Sequence, residues 1–313
     1  MPAHAAITPW HWVGFVGVIL VLLALDLGAF HRHAHVVGFK EAFAWTAAWF
    51  LLAMLFPLAL TRLGLWQGEP AIEYLTGYLV ELSLSLDNVF VIAVIFAWFR
   101  VPPALQHRSL FWGILGALLM RGLMIGLGVA LVRQFSWVLY LFGALLLVSG
   151  LKLCAAGQSE VRPERNLVLR LTRRVFSVTE EFDGQQFLVR RGGRWSLTPL
   201  ALVLVTVESA DLVFALDSIP AVFGVTQRPF VIFTSNVFAI LGLRSLYFVL
   251  AGAISYFRFL KVGLALVLVF IGAKMLAAPW LHLPTLLSLA TVVGILLVAI
   301  VASLVTAWGQ DRP

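Results

Sequence analysis

Long apolar runs recur along almost the whole chain and dominate its pattern of hydrophobic and polar positions. Each run approaches the ~20 residues that a helix rising 1.5 Å per residue needs to cross the hydrocarbon core of a bilayer. The runs do not alternate residue by residue, as the strands of a transmembrane β-barrel do. The sequence therefore predicts an all-α, polytopic transmembrane helix bundle with about nine spans, at residues 10–30, 42–62, 72–98, 109–131, 136–155, 198–224, 229–254, 260–277 and 284–307.

Composition agrees with a single membrane domain over residues 1–313. Charged residues make up 12% of the chain and hydrophobic residues 61%, whereas soluble domains carry about 25% charged residues. The net charge of +7 is assigned to loops that face the cytoplasm, where Lys and Arg accumulate, so no nucleic-acid partner is expected. A single cysteine, Cys154, excludes an intramolecular disulfide and argues against an iron–sulfur or thiolate-zinc site.

One hydrophilic segment, residues 156–196, interrupts the apolar runs. It contains eight arginines, which predicts a cytoplasmic loop. Counting crossings from this loop places the N-terminus outside and the C-terminus inside. Within the loop, Val178–Phe182 and Phe187–Arg191 flank Asp183-Gly184, a pair that suits a tight hairpin turn. We expect a tethered hairpin there and not a second domain, because an isolated hairpin is marginally stable.

An internal repeat relates spans three to five (residues 72–155) to spans six to eight (residues 198–277). Three matches occur in the same order along the chain. They pair Glu81-Leu-Ser-Leu-Ser-Leu-Asp87-Asn88 with Asp211-Leu-Val-Phe-Ala-Leu-Asp217-Ser218, Ile114-Leu-Gly before Arg121 with Ile240-Leu-Gly before Arg244, and Gly150-Leu-Lys152 with Gly272-Ala-Lys274. Span three runs inward and span six outward, so the predicted repeats are inverted about an axis in the membrane plane. Many secondary transporters are built in this way, with the binding site near the midplane.

Five acidic residues lie inside two of the apolar spans. They are Glu81 and Asp87 of span three, and Glu208, Asp211 and Asp217 of span six. A carboxylate buried in a membrane has to be neutralised, paired or bound to a cation. Structural ion pairing is one explanation, and its candidate bases are Arg121, Lys152, Arg244 and Lys274. The acids outnumber the bases, Asp26 in span one adds a sixth, and Asn88 and Ser218 supply further oxygen atoms, so the set favours a cation site.

The angular positions of these acids divide them into two groups. At about 100° per residue, Glu81 and Asn88 fall on one stripe of span three. Asp87 and Asp217 each lie about 120° from the first acid of their own motif. Either the helices are irregular here, as Pro220 would allow, or one acid per repeat binds the substrate while the other pairs with lysine or arginine. The sequence leaves both alternatives open.

The ligand types narrow the substrate. Carboxylates, amides and hydroxyls are hard oxygen donors that suit Mn²⁺, Mg²⁺ or Ca²⁺, and carboxylates can also carry protons for exchange. The membrane core has no histidine or cysteine cluster of the kind that favours copper or zinc. His31, His33 and His35 cluster at the inside end of span one, as an interfacial run or as an entrance that collects metal. We expect neither enzymatic activity nor a bound cofactor.

The paired acidic motifs resemble the TerC/Alx family of bacterial membrane proteins, together with Leu25-Asp26-Leu-Gly-Ala-Phe-His31 and Asn236-Val-Phe-Ala-Ile-Leu-Gly-Leu-Arg244. The resemblance covers nearly the whole chain and implies a manganese exporter of the inner membrane. The candidate metal-binding residues that it implies are Glu81, Asp87, Asn88, Glu208, Asp211 and Asp217. The competing hypothesis is a membrane assembly or stress-response factor, connected with tellurite resistance by the family's name, whose buried acids form structural ion pairs.

Overall fold

The computed structural model describes residues 7–25, 37–155, 166–191, 193–250, 259–281 and 283–310. Within these ranges the chain forms ten α-helices and one two-stranded sheet. In chain order the elements are α1 (Pro9–Leu25), α2 (Phe39–Arg62), α3 (Glu69–Trp98), α4 (Pro103–Gln134), α5 (Val138–Ala155), α6 (Leu167–Val175), β1 (Leu188–Arg191), β2 (Arg194–Leu197), α7 (Pro199–Val225), α8 (Pro229–Leu250), α9 (Leu260–Ala277) and α10 (Thr285–Gln310).

The long helices confirm the predicted all-α membrane bundle. Eight of them, α2 to α5 and α7 to α10, are long and apolar enough to cross a bilayer. The first predicted span corresponds to α1, an apolar helix of 17 residues. The end of that span lies outside the described residues, as do Asp26 and the cluster of His31, His33 and His35.

Burial differs sharply among the eight spans. The most apolar stretch of α8 is 89% buried inside the protein, whereas that of α2 is only 17% buried. The central helix α8 contacts α2, α3 and α4, and α3 also contacts α7. The peripheral helices present large apolar side chains outward, such as Leu119, Leu123 and Val298, which are 71%, 66% and 70% exposed. Such a surface is costly in water and suits a lipid environment.

Glycines bring α5 and α9 into close contact. A Cβ atom built on Gly272 would lie 2.8 Å from the carbonyl oxygen of Gly143. A Cβ atom built on Gly150 would lie 2.8 Å from the carbonyl oxygen of Ala265. Small residues at membrane helix interfaces allow such an approach of two backbones. The predicted pair of Gly150-Leu-Lys152 and Gly272-Ala-Lys274 therefore marks a packing interface.

The segment between α5 and α7 is more structured than the sequence predicts. It contains the helix α6, which the sequence pattern did not predict. The predicted hairpin is wrong in its pairing, because β1 pairs antiparallel with β2 and not with Val178–Phe182. The turn falls between Arg191 and Arg194, while Asp183 and Gly184 form a separate turn without paired strands on both sides.

The same segment covers one end of α4. Arg108 donates a hydrogen bond of 2.8 Å from Nη1 to Oε1 of Gln185, and its guanidinium lies over the ring of Phe187. Phe187 also meets Trp112 edge to face. The stretch just before β1 therefore packs against the first turns of α4.

Candidate functional site

The centre of the site is Arg121, which α4 carries into the bundle interior. Its side chain is buried at 2% exposure, and its Nη1 forms an ion pair with Oε1 of Glu81, which is fully buried on α3. Its Nη2 lies 3.2 Å from Oδ1 of Asp211 on α7. One guanidinium therefore joins the first acids of the two repeated motifs. The carboxylates of Glu81 and Asp211 reduce the free-energy cost of burying the positive charge of Arg121.

Neutral polar side chains complete this network. Nη1 of Arg121 donates to Oγ of Ser218 at 3.1 Å and to Oδ1 of Asn236 at 3.0 Å. Nδ2 of Asn236 donates in turn to Oε2 of Glu81 at 3.0 Å. These bonds hold the guanidinium and the Glu81 carboxylate in fixed positions, as expected of a satisfied polar network in a low-dielectric interior.

The second acids of the motifs, Asp87 and Asp217, line a cavity of about 290 Å³, and Arg121 and Ser218 also line it. Asp217 accepts a hydrogen bond of 2.8 Å from Oγ of Ser149. Asn88 also lines the cavity, donates through Nδ2 to Asp211 at 3.3 Å, and is 4% exposed. Its Oδ1 atom is buried without a hydrogen-bond partner among the described residues. A buried carbonyl oxygen without a donor is costly and indicates room for a ligand or water.

Two lysines lie close to this cavity. Lys152 is one of its lining residues, at the end of α5. Lys261 of α9 interacts electrostatically with Asp87. The cavity therefore has two carboxylates in its wall, together with Lys152 and Arg121, and Lys261 acts on one of these carboxylates.

Glu208 occupies a smaller cavity of about 30 Å³, which it shares with Asn88, Asp211 and Arg244. Its Oε1 atom is buried without a hydrogen-bond partner in the part of the chain that the structure describes. The carboxylate lies so close to Gly116 that a methyl group there would overlap it. Asn88 lines both cavities, and Asp211 and Arg121 lie between them.

The structure distinguishes between the two geometric alternatives. The helix α7 continues through Pro220, and α3 is continuous from Glu69 to Trp98. The two acids of each motif therefore face different directions. Glu81 and Asp211 converge on Arg121, whereas Asp87 and Asp217 face the larger cavity.

Several predicted residues lie away from this arrangement. Lys152 is exposed at the edge of the larger cavity and not buried as the ion-pair explanation assumed. Lys274 interacts electrostatically with Glu73, which is not one of the motif acids. Arg121 and Arg244 are not equivalent, because Arg121 joins Glu81 to Asp211 while Arg244 lines the cavity of Glu208.

Two polar residues of the site, and one acidic residue outside it, were not identified from the sequence. Asn236 was seen only as part of a family segment, although it bonds Arg121 and Glu81. Ser149 directly precedes the Gly150-Leu-Lys152 motif, and this position was the available signal. Glu73, near the start of α3, accepts from Thr226 at 2.7 Å and pairs with Arg228 at 3.1 Å.

The donor set of the larger cavity suits a hard cation. In the described ranges, no three His, Cys, Asp or Glu side chains converge as a metal-binding group. The cavity instead combines two carboxylates with an amide oxygen and the hydroxyls of Ser149 and Ser218. Oxygen ligands of this kind bind Mg²⁺, Ca²⁺ and Mn²⁺.

Comparison with known proteins agrees with this architecture. Residues 66–311 match the integral membrane protein TerC family. An uncharacterized membrane protein of Myxococcus xanthus, STKORF319, is 49% identical over 301 residues, which cover 95% of this chain and 93% of the relative. Alx of Escherichia coli K12, for which a role as a membrane-bound redox modulator has been suggested, is 45% identical over 312 residues, covering 97% of this chain and 96% of the relative. No solved structure matches the chain.

Proposed function

This chain belongs to the TerC family of integral membrane proteins, and we propose that it is a secondary transporter that exports a divalent metal cation. The substrate that fits best is Mn²⁺, moved in exchange for protons across the cytoplasmic membrane. The observation that carries the proposal is the larger cavity, which Asp87, Asp217 and Asn88 all line, together with the Oδ1 atom of Asn88 that is buried without a hydrogen-bond partner among the described residues. Arg121 also lines this cavity, but its ion pairs are with Glu81 and Asp211, so we take both aspartates as available to a cation.

The nearby lysines can balance the charges of the carboxylates when no metal is bound. The side chains of Lys152 and Lys261 are flexible, and Lys261 already interacts with Asp87. An arriving divalent cation would displace an ammonium group from the carboxylates. The site would then have a counter-charge in both states, which lowers the cost of emptying it.

Contacts between α3 and α7 support the inverted repeat. Asn88 bonds Asp211, and Ser218 shares the guanidinium of Arg121 with Glu81. Exchanging matched residues, Glu81 with Asp211 and Asn88 with Ser218, relates the direct bond between Asn88 and Asp211 to the pair of Ser218 and Glu81, which Arg121 bridges. A two-fold axis in the membrane plane has this effect on two antiparallel helices.

Contacts between α5 and α9 follow the same rule. Gly150 matches Gly272, and the residues seven positions earlier are Gly143 and Ala265. The structure brings Gly143 to Gly272 and Gly150 to Ala265. Exchanging the matched residues again converts one contact into the other, as the inverted arrangement of a secondary transporter requires.

The antiparallel helices also suggest a direction of travel. Asp87 lies beyond Glu81 toward the end of α3, and Asp217 lies beyond Asp211 toward the end of α7. If the Arg121 network marks the midplane, the two aspartates lie on opposite sides of it. With the arginine-rich segment in the cytoplasm, a cation would reach Asp87 first and leave past Asp217.

Flux through purified protein in liposomes tests the proposal. The protein should move Mn²⁺ down an imposed gradient, with Ca²⁺, Mg²⁺ and H⁺ gradients run in parallel to define substrate and coupling. Asp87→Asn and Asp217→Asn should each reduce the Mn²⁺ flux to the level of empty liposomes, because an amide has no charge to hold the cation.

Glu180→Gln is the matched control, since Glu180 is exposed on the segment before α7. It should leave the Mn²⁺ flux unchanged. Normal flux through both aspartate variants would exclude the cavity as the transport site. Absence of flux in the unaltered protein for every ion would exclude transport itself.

A second function remains a candidate because the Arg121 network is fully paired. A membrane assembly or stress-response factor would need these ion pairs for structure alone, and the redox role suggested for Alx belongs to this class. That hypothesis predicts no ion flux and tolerance of Asp87→Asn and Asp217→Asn. The liposome assay therefore separates the two functions.

A further inference from the structure

We propose that α6 is an interfacial helix that inserts one face into the bilayer and binds acidic phospholipid headgroups through Arg170, Arg173 and Arg174. This proposed lipid binding by α6 does not depend on the proposed transport activity. Its support comes from the faces of the helix, from where the helix is attached, and from its charge.

The side chains of α6 divide into three faces. Leu167, Val168, Leu171 and Val175 fall within an arc of about 100°. Their exposed fractions are 74%, 47%, 63% and 65%. On the opposite side, Leu169 is buried at 3% exposure against the rest of the protein. The described protein thus leaves one apolar face of this short helix uncovered.

The three arginines form the remaining face. Arg170, Arg173 and Arg174 are all exposed and lie within an arc of about 100° beside the apolar one. The helix contains no acidic residue. An apolar face next to a basic face is the pattern of helices that lie at the surface of an acidic membrane.

The attachment of α6 places both faces beside membrane-spanning helices. At its beginning, Nδ2 of Asn166 donates a hydrogen bond of 2.6 Å to Oγ of Ser209, which lies within α7. Near its end, the guanidinium of Arg173 lies 5.8 Å from the ring centre of Trp98, the last residue of α3. Tryptophans at the ends of spans concentrate at the level of the headgroups. The helix therefore runs along the bundle at this level and does not extend into solution.

Lipid is the occupant that satisfies both exposed faces. Acyl chains would cover the leucine and valine side chains, and headgroup phosphates would accept hydrogen bonds from the guanidinium groups. Each arginine near an acidic bilayer surface raises association about fivefold. A second copy of the chain would have to supply an apolar face and acidic groups together.

A fluorescent label tests the insertion. Leu171→Cys and, as control, Glu180→Cys are made in a Cys154→Ser background and labelled with an environment-sensitive fluorophore. The protein is reconstituted into phosphatidylcholine vesicles with and without phosphatidylglycerol. We expect lipids with a nitroxide near the headgroup to quench the label at position 171 strongly and the label at position 180 weakly.

Removing the charges of the arginines tests the binding of acidic headgroups. Nitroxide-labelled phosphatidylglycerol should quench the label at position 171 more than nitroxide-labelled phosphatidylcholine does. The triple variant Arg170→Gln/Arg173→Gln/Arg174→Gln should reduce this preference by at least about tenfold. Arg190→Gln, an exposed arginine of β1, should leave the preference unchanged.

Three results would overturn the proposal. One is a label at position 171 that soluble quenchers reach as readily as the label at position 180. Another is an unchanged lipid preference in the triple variant. The third is protection of position 171 that disappears when the protein is diluted in excess lipid, which would identify a second copy of the chain as the occupant.

Discussion

At the scale of single residues, the four acids of the repeated motifs fall into two groups with different surroundings. Glu81 and Asp211 hold the buried guanidinium of Arg121, while Asp87 and Asp217 border a cavity. Within each motif the two acids, Glu81 and Asp87 or Asp211 and Asp217, lie six residues apart in sequence, which turns them to different sides of a helix. One acid of each motif therefore pairs with Arg121, and the other borders the larger cavity, where we propose that the cation binds.

The Arg121 network makes a prediction about stability. Arg121→Gln removes the partner of Glu81, which is fully buried, so it should lower the free energy of unfolding by about 3–5 kcal/mol. Thermal unfolding of the purified full-length protein in detergent, followed by tryptophan fluorescence, measures this change. The double variant Arg121→Gln/Glu81→Gln should recover part of the loss, because it removes one of the two carboxylates that Arg121→Gln leaves without a partner, the other being Asp211.

The control for this experiment lies on the same helix. Arg133 is exposed, and Arg133→Gln should change the free energy of unfolding by less than about 0.5 kcal/mol. If Arg121→Gln unfolds like the unaltered protein, the ion pairs do not stabilise the fold. The division of the acids into structural and ligand-binding groups would then be wrong.

At the scale of elements, helices approach closely where glycine replaces a side chain. Gly143, Gly150 and Gly272 let α5 and α9 pack backbone against backbone. Without a hydrophobic driving force between helices in lipid, such packing depends on van der Waals contact. The contact fixes Ser149, next to Gly150, beside Asp217 at the larger cavity.

A single methyl group tests this interface. Gly150→Ala would place its Cβ atom 2.8 Å from the carbonyl oxygen of Ala265 and 2.9 Å from the amide nitrogen of Val269. Backbone atoms cannot move aside cheaply, so the variant should lose about 1–3 kcal/mol of stability. The same thermal unfolding experiment measures the loss.

Gly126→Ala is the matched control on α4. No atom lies within 4 Å of the Cβ position at Gly126, so this substitution should stabilise the helix by up to about 1 kcal/mol through helix propensity. Equal stability of the two variants would show that the interface between α5 and α9 is loose.

At the scale of the whole molecule, the proposed orientation follows from arginine placement. With the segment between α5 and α7 in the cytoplasm, the connection between α2 and α3 lies outside. Gln67 is exposed in that connection, and Glu180 is exposed in the segment before α7. The two positions should therefore lie on opposite sides of the membrane.

Cysteine labelling of intact cells checks this orientation. In a Cys154→Ser background, a membrane-impermeant maleimide should label Gln67→Cys in intact cells. It should label Glu180→Cys only after the cells are permeabilised. The reverse pattern would invert the topology and, with it, the proposed direction of transport from Asp87 to Asp217.

Much of the fold could be predicted because each membrane span depends on the composition of its own stretch of sequence. Lipid requires about twenty apolar residues and satisfied backbone hydrogen bonds in each span, so hydropathy identifies the helices one at a time. The connecting segment followed no such rule. Its strands pair across the turn before Arg194 and not across Asp183-Gly184, because packing of Phe187 against α4 competes with local turn preference.

The sequence by itself determined the all-α membrane bundle, the buried acids and their repetition, since these depend on composition and spacing alone. Only the tertiary structure decided the partners of those acids. A buried charge is stabilised by whichever opposite charge the packing brings within a few ångströms, and Arg121 lies 40 residues from Glu81 and 90 from Asp211 in sequence. Helix packing therefore pairs both Glu81 and Asp211 with Arg121, and it places Asp87 and Asp217 at the larger cavity.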